Sequence, residues 1–302
     1  MSIKSKTTRD TSAIPVQIYD ANSKYATIGF KLGELRKHRY LLTSLVQRDL
    51  KSRYKNSVLG ILWSLLNPLA LMLVFTLVFT VLSNGGTQRQ HPVFLLTGLL
   101  PWNFFSSTMM LGTMSIISNS SLIKKVYFPR ELLPASAMLS NFVNFLISLL
   151  ILIFFIYVYR VGLTIHALWV VPLIITQMLF SMGLILALSA ITVFYRDVLM
   201  ILDVVMLAWF FMTPIFYPFE TYAAVGSIMG ITFSPAQFMR WVNPMASLID
   251  GYRTVLWGTT SSSGPVGMDP AYFIRTFLTA VTVFFIGYFI FARTEHVFGE
   301  KL

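Results

Sequence analysis

The sequence predicts an all-α integral membrane protein with six transmembrane helices, and three observations lead to that class. Hydrophobic residues make up 56% of the 302 residues and charged residues only 12%, and the mean hydropathy is +0.70. A soluble domain of this length needs far more charged surface. Apolar runs recur between residues 59 and 292. In hydrocarbon such runs form helices, because the backbone must satisfy its own hydrogen bonds.

Six segments reach the length of roughly 20 apolar residues that a spanning helix needs. They lie near residues 60–82, 93–116, 133–158, 167–192, 199–217 and 272–292 and form a transmembrane domain over 59–292. Most of the 23 Lys and Arg residues precede residue 59 or fall in alternate connections. The positive-inside rule therefore predicts that both termini, including residues 293–302, are cytoplasmic. The net charge of +11 is then a topology signal, and no nucleic-acid partner is expected.

The chain before the first span divides into two parts. Residues 1–33 are polar and predict a cytoplasmic tail. Over residues 34–58 the apolar side chains recur every four residues, which predicts an amphipathic helix lying in the inner membrane surface. Asp49 and Arg53 lie inside its apolar arc at a spacing of i, i+4. Two interpretations stay open: a local ion pair, or a pair buried against the bundle or a partner.

The connection between the second and third spans, residues 118–132, predicts a short cytoplasmic helix. Pro129 and Pro134 both suit the first turn of a helix, where a missing N–H costs nothing. Tyr127 and Phe128 form a pair of aromatic residues that we expect to be exposed. Such a pair anchors either a protein partner or the membrane interface.

Residues 218–258 are too many for an ordinary connection and too apolar for a solvated loop. Glycines and prolines divide this stretch into Tyr222–Thr232 and Pro235–Trp257. We expect two re-entrant helices that dip into the outer leaflet, with a globular outer cap as the alternative.

The sequence holds no motif for catalysis or for nucleotide binding. A Gly-x-x-x-x-Gly-Lys-Ser/Thr loop is absent, and the four histidines show no metal-ligand spacing. Asp203 is the main ionisable residue within a span, and snorkelling or pairing with Arg196 accounts for it better than a proton relay. We therefore expect no enzyme activity, no metal and no cofactor in this chain.

The spans are instead rich in aromatic residues. Most of these would pack in the bundle or face lipid, but some could line a path for sugar rings, whose C–H faces stack on aromatic rings. The candidates are Phe75, Phe79, Trp102, Phe104, Phe105, Trp209, Phe210, Phe211 and Tyr217.

Five strings of residues together resemble one family. They are the stretches 47–60, 125–134, 194–198 and 213–218, and the pair Asn243-Pro244. This set is similar to the permease subunits of type-2 ABC exporters for bacterial polysaccharides, which carry O antigen, capsule or teichoic acid. The resemblance covers the chain from about Tyr40 to its C-terminus.

The resemblance implies a half-transporter in the bacterial inner membrane that pairs with a second copy of itself. Two separate ATP-binding cassette subunits would supply the ATP and Mg²⁺ chemistry, and the substrate would be a lipid-linked polysaccharide, most plausibly O antigen. The helix over 34–58 would act as an interfacial gate, with Arg48, Asp49, Arg53 and Tyr54 as its key residues. Contact with the ATPase would fall to Lys124, Lys125, Tyr127, Phe128, Pro129, Arg130 and Glu131. The alternatives are a capsule or teichoic acid permease of the same family, or a membrane-embedded glycosyl- or acyltransferase.

Overall fold

The structure is a computed structural model that describes residues 38–82, 91–218, 226–228, 231–233, 235–259, 262 and 264–302. In chain order its helices are α1 (Arg39–Tyr54), α2 (Trp63–Leu82), α3 (His91–Ser118), α4 (Ser120–Lys125), α5 (Leu132–Val158), α6 (Val170–Phe194), α7 (Val198–Met212), α8 (Pro235–Val242), α9 (Pro244–Leu256), α10 (Pro270–Thr294) and α11 (Phe298–Lys301). Short 3-10 turns at Gly60–Leu62, Ile165–Trp169 and Glu295–Val297 precede α2, α6 and α11. Two strands, β1 (Gly226–Ile228) and β2 (Ile231–Phe233), complete the described elements. The tail predicted over residues 1–33 lies outside them.

Within the part of the chain that the structure describes, four helical stretches are long and apolar enough to cross a bilayer, which confirms an integral membrane protein. They are Pro92–Lys125, Leu132–Val158, Ile165–Phe194 and Pro270–Lys301. Shorter apolar helices, Leu65–Val78 and Val198–Met212, stand where the first and fifth spans were expected. A total of six spans and cytoplasmic termini remain predictions.

The fifth predicted span ends earlier than residue 217. Helix α7 has 15 residues, so it covers about 22 Å at 1.5 Å per residue, less than a bilayer core of roughly 30 Å. Pro214 explains the early end, because a proline pushes the residue before it out of the helical region. Thr213 accordingly has an extended backbone, with φ −97° and ψ 133°. The predicted pairing of Asp203 with Arg196 is not formed, and both of these described residues are exposed.

Helix α3 is the centre of the fold. It packs against α5 and α6 most extensively, and also against α2, α7 and α9. In the most apolar stretch of α3, 78% of the residues are buried. In the most apolar stretch of α10 only 17% are buried, so α10 lies at the periphery. Phe94, Leu99 and Phe105 of α3 have no exposed surface.

Helices α6 and α10 make the largest contact between any two elements, because glycines let their backbones touch. A Cβ atom on Gly183 would lie 2.6 Å from the Cα of Phe284 and from the carbonyl oxygen of Val283. A Cβ on Gly287 would collide with the Gly183 carbonyl. Small residues at a helix crossing are typical of membrane proteins, where close backbone packing replaces the hydrophobic drive.

The stretch over residues 218–258, which we expect on the outer side, differs from the prediction in its first half. Where a helix over Tyr222–Thr232 was expected, residues 226–228 and 231–233 form an antiparallel pair of strands with Ser227 opposite Thr232. The helix prediction is wrong at these residues, since Gly226 and Gly230 disfavour a helix more than the flanking apolar residues favour one. The second half, Pro235–Trp257, is helical but divided into α8 and α9 at Asn243-Pro244.

Helix α1 confirms a helix before the first span over a shorter range than 34–58. It begins at Arg39 and ends at Tyr54, and Asn56 follows with a positive φ of 60°, which stops the helix. Residues 34–37 of the prediction lie outside the described residues. Helix α1 packs mainly on α5, and Leu45 is its one buried side chain.

Candidate functional site

The connection between the second and third predicted spans, residues 118–132, which we expect to be cytoplasmic, is a short helix followed by an extended strap. Only Ser120–Lys125 is helical, and Val126 has an extended backbone with φ −133° and ψ 134°. Helix α5 then begins at Leu132, so Pro134 lies in its first turn as predicted. Pro129 precedes the helix by three residues, and its carbonyl oxygen accepts a hydrogen bond from the Leu132 N–H at 3.2 Å. The prediction that Pro129 begins a helix is wrong.

The predicted pair of exposed aromatic residues is divided between two environments. The side chain of Tyr127 is 80% exposed, whereas that of Phe128 is 5% exposed. Alternation along the extended strap accounts for this, because successive side chains of an extended chain point to opposite sides. Phe128 and Glu131 therefore anchor the strap in the fold, and Tyr127 faces outward.

A half-open cleft of about 260 Å³ lies along this connection. Ile123, Lys124, Lys125, Val126, Tyr127, Phe128 and Arg130 line it. Both lysines are exposed, so the cleft offers positive charge beside an apolar ring. An acidic and aromatic protein surface would complement it.

Helix α1 contacts α5 through three polar side chains, each directed at a different turn of α5. The Ser136 hydroxyl lies 3.3 Å from Asp49 Oδ2, although its shorter bond is to the Leu133 carbonyl at 2.9 Å. Arg53 Nη2 donates to Asn141 Oδ1 at 2.9 Å, and the Tyr54 hydroxyl donates to Asn144 Oδ1 at 2.9 Å. The Asn141 amide also donates to the Ala137 carbonyl at 2.9 Å, which turns its oxygen toward α1.

These contacts bear on both interpretations of the Asp49–Arg53 spacing. The local i, i+4 ion pair is not formed, because Asp49 pairs with Arg48 at 2.8 Å and Arg53 bonds to α5 instead. The second interpretation, a pair buried against the bundle, is not formed either, because Arg53 is exposed and only its bond to Asn141 and the longer contact of Asp49 with Ser136 reach α5. Polar contacts of this kind fix the register of α1 on α5 more than they add stability.

The candidate channel aromatics separate by burial. Trp102, Phe104 and Phe105 belong to the core. The Phe105 ring stacks on Phe180 at 5.8 Å between centroids and meets Trp209 edge-on at 5.1 Å. These rings already have aromatic partners within the chain, so a substrate would have to displace them to reach their faces.

The remaining candidates lie nearer the surface. Phe210 contacts Trp102 at 5.5 Å and Phe216 at 5.1 Å, and Phe75 lies 3.9 Å from Phe216. Phe211 is 64% exposed, and Tyr217 is half-buried. The side chain of Phe79 lies outside the described residues. Channel lining therefore stays a prediction for the whole set, with Phe211 the most accessible ring.

Sequence reasoning did not single out Arg253 as a structural residue. The Arg253 guanidinium is buried 3.8 Å from the centroid of the Phe94 ring. It donates to the carbonyl oxygens of Pro214 at 3.0 Å, Ile215 at 2.9 Å and Tyr217 at 3.2 Å. A cation thus meets the carbonyl groups that follow α7, where a helix end favours positive charge. Arg253 thereby fastens the segment after α7 to α9 and α3.

A second polar contact joins α7 to α9. The Asn243 side chain caps α9 by accepting from the Ala246 N–H at 3.2 Å, and it also accepts from Trp209 Nε1 at 2.8 Å. Its amide donates to the Thr213 hydroxyl at 3.0 Å. The sequence signal for this cap was the Asn-Pro pair, since Asn suits the N-cap and Pro the first helical turn. The Trp209 partner could not be read from the sequence.

Among the described residues, no three His, Asp or Glu side chains lie close enough together to hold a metal ion. The geometry is instead that of a helical bundle with a polar, partly exposed face at the connection between α3 and α5.

Comparison with known proteins agrees with the resemblance drawn from the motifs. The family described as ABC-2 type transporter matches residues 40–257. An O-antigen export system permease protein, RfbA, of Myxococcus xanthus is 37% identical over 224 residues, 74% of this chain and 83% of that protein. Its namesake in Klebsiella pneumoniae is 30% identical over 266 residues, 87% of this chain and 95% of that protein. The polysialic acid transport protein KpsM of Escherichia coli is 28% identical over 112 residues, 36% of this chain and 43% of that protein. The chain therefore belongs to the ABC-2 type transporter family, as a multi-pass membrane subunit for transport.

Proposed function

We propose that this chain is the permease of an ATP-driven exporter that moves a lipid-linked polysaccharide, O antigen, across the bacterial inner membrane. The observation that carries the proposal is the similarity to an O-antigen export permease over 87% of this chain and 95% of that relative. Similarity over nearly the whole of both chains supports a shared task as well as a shared fold.

The cytoplasmic connection supports docking of a separate ATP-binding subunit. It presents the Tyr127 ring and the charges of Lys124 and Lys125 around one cleft, while Phe128 and Glu131 are buried beneath. A surface with a rigid base and an exposed aromatic anchor suits a protein interface. Movement of the ATPase would then reach α5 directly, because the connection leads into its first turn.

Pairing with a second copy is supported by the exposed side of α7. Ile201, Val204, Leu207 and Phe211 are each more than half exposed, although α7 is too short to span a bilayer by itself. A second copy facing this side would place Phe211 rings from both chains along a shared path. Aromatic rings there would let a sugar chain slide without binding tightly.

A capsule polymer is the second candidate cargo within the family. The similarity to a polysialic acid transport protein favours it, but that similarity covers only 36% of this chain. Teichoic acid has no such support here, and a membrane-embedded glycosyl- or acyltransferase is disfavoured by membership of a transporter family.

Deletion of the gene from its own bacterium, followed by complementation, tests the proposal. We expect surface O antigen to disappear, lipid-linked polymer to accumulate inside, and the intact gene to restore display. A Tyr127→Ala variant should fail to restore it, whereas Tyr157→Ala should restore it, because Tyr157 is a similarly exposed residue at the far end of α5. Normal O antigen in the deletion strain, with loss of a capsule, would transfer the proposal to the second candidate.

A further inference from the structure

We propose that Phe298, near the C-terminus, is a positioning residue that holds Arg130 and with it the cytoplasmic connection in the place from which the ATPase is contacted. The inference rests on one contact: Arg130, on the strap before α5, lies over the buried ring of Phe298 in the last turn of the chain. The role in coupling rests on the proposed function, whereas the positioning itself does not.

The last residues of the chain fold back onto α10. Helix α10 ends at Thr294, and the 3-10 turn Glu295–Val297 returns the chain so that Phe298 meets Phe291 edge-on, with ring centroids 5.5 Å apart. Phe298 has no exposed surface, although Gly299, Glu300 and Lys301 directly after it are exposed. A terminal segment with a single fully buried aromatic ring is anchored by that ring.

Arg130 lies against this anchor. Its guanidinium carbon is 5.8 Å from the centroid of the Phe298 ring, within the range of a cation–π contact. Its Nη2 atom would be 3.9 Å from a Cβ built on Gly299, which is ordinary van der Waals distance. The Arg130 backbone is fixed at the other side, because its carbonyl oxygen accepts from the Leu133 N–H at 3.2 Å.

The contact joins two parts of the chain that are distant in sequence. Arg130 is half-buried and three residues from Tyr127, the exposed ring of the connection. The strap between them is extended and has no helix to stiffen it. The Phe298 ring therefore restrains one end of the strap, and α4 restrains the other.

Hydrogen exchange of the full-length chain tests the positioning without any partner. Phe298→Leu keeps an apolar side chain but removes the ring face, so the amides of residues 126–131 other than Pro129, which has no N–H, should exchange about two- to fivefold faster. Phe289→Leu is the matched control: Phe289 carries a similar contact with Arg293, at 4.7 Å, on the exposed side of α10. It should leave residues 126–131 unchanged. Equal exchange in wild type and Phe298→Leu would overturn the inference.

A second variant guards against simple loss of folding at the C-terminus. Arg130→Gln removes the cation and leaves the Phe291–Phe298 ring pair intact. We expect the same faster exchange at residues 126–131 with unchanged exchange at α10. If Arg130→Gln leaves the strap as protected as in wild type, the ring does not act through Arg130, and the inference fails.

Coupling is measured in the complex with the ATP-binding subunit as polymer exported per ATP hydrolysed. Phe298→Leu should lower this ratio at an unchanged amount of assembled complex, and Phe289→Leu should not. A wild-type chain that binds no ATPase would contradict the proposed function while leaving the exchange result standing. A wild-type complex that couples, with Phe298→Leu coupling equally well, would refute the role of Phe298 in coupling.

Discussion

Replacing the two asparagines of α5 that face α1 should loosen α1 from the bundle. In the double variant Asn141→Ala/Asn144→Ala, Arg53 and Tyr54 lose their partners on α5. The contacts that remain are apolar ones, from the buried Leu45 and from half-buried side chains such as Val46 and Leu50. We expect α1 to spend more time detached while α5 itself stays folded.

The size of the effect follows from the two bonds. A neutral hydrogen bond contributes about 1 kcal/mol, which we assign to the Tyr54–Asn144 bond. The Arg53–Asn141 bond is discounted to about 0.5 kcal/mol, because Arg53 is exposed and water screens it. The total of about 1.5 kcal/mol corresponds to roughly a tenfold shift toward the detached state.

Labelling of a single introduced thiol can measure this shift, because the sequence contains no cysteine of its own. Leu45→Cys places a single thiol at a position that is 4% exposed when α1 is docked. A maleimide reagent should label it roughly ten times faster in the double-alanine background. Asn67→Ala, an exposed asparagine on α2, is the control and should leave the labelling rate unchanged. Equal rates in all three backgrounds would show that these bonds do not hold α1.

Three further changes test the packing and the partner surface. Gly287→Leu should lower the amount of folded protein in the membrane, because the added side chain meets the Gly183 backbone at a cost of more than about 2 kcal/mol; Western blotting of membranes measures it, and normal levels would contradict the close crossing. Arg253→Met should lower thermal stability in detergent by about 3 kcal/mol, since three carbonyl groups lose a buried donor; an unchanged melting temperature would refute the fastening role. Tyr127→Ala should weaken co-purification of the ATP-binding subunit at normal protein levels, whereas Phe128→Ala should lower the protein level itself because that ring is buried. The opposite pattern would reverse the assignment of the two rings.

The long apolar runs were sufficient to predict the main helices. Composition and length determine where a chain must leave water, and both are properties of the sequence. The ends of the helices were harder to predict from the sequence. The fifth span was extended beyond Pro214, although the effect of a proline on the preceding residue is a local signal that could have ended it at Met212.

Partner choice could not be predicted for polar residues. Asp49 and Arg53 have the spacing of an ion pair on one helix, yet Asp49 pairs with its neighbour Arg48 and Arg53 bonds to Asn141 of α5. An exposed ion pair on a helix contributes only a few tenths of a kcal/mol, so tertiary partners easily replace it. The same limit applies to Arg253, whose carbonyl partners come from a segment distant in sequence.

The connection over residues 118–132 shows a third limit of prediction from the sequence. Adjacent aromatic residues looked alike in the sequence, but the extended strap sends Tyr127 outward and Phe128 inward. We expected a helix there, but the chain over residues 126–129 is not helical. An extended chain directs adjacent side chains to opposite sides, which a helix does not. Arg130 contacts Phe298 near the end of the chain. The spacing of apolar residues along the sequence cannot predict a contact between residues so far apart.

Reconstitution tests the central claim, that this chain is a conduit driven by a separate motor. The purified chain is placed in lipid vesicles with an ATP-binding cassette subunit from the same bacterium, and lipid-linked O antigen reaching the far leaflet is measured with a glycan-specific probe. We predict transport only when both proteins and ATP are present, and no ATP hydrolysis by this chain alone. Transfer of the polymer without the second subunit, or glycosyl transfer by the chain alone, would contradict the account.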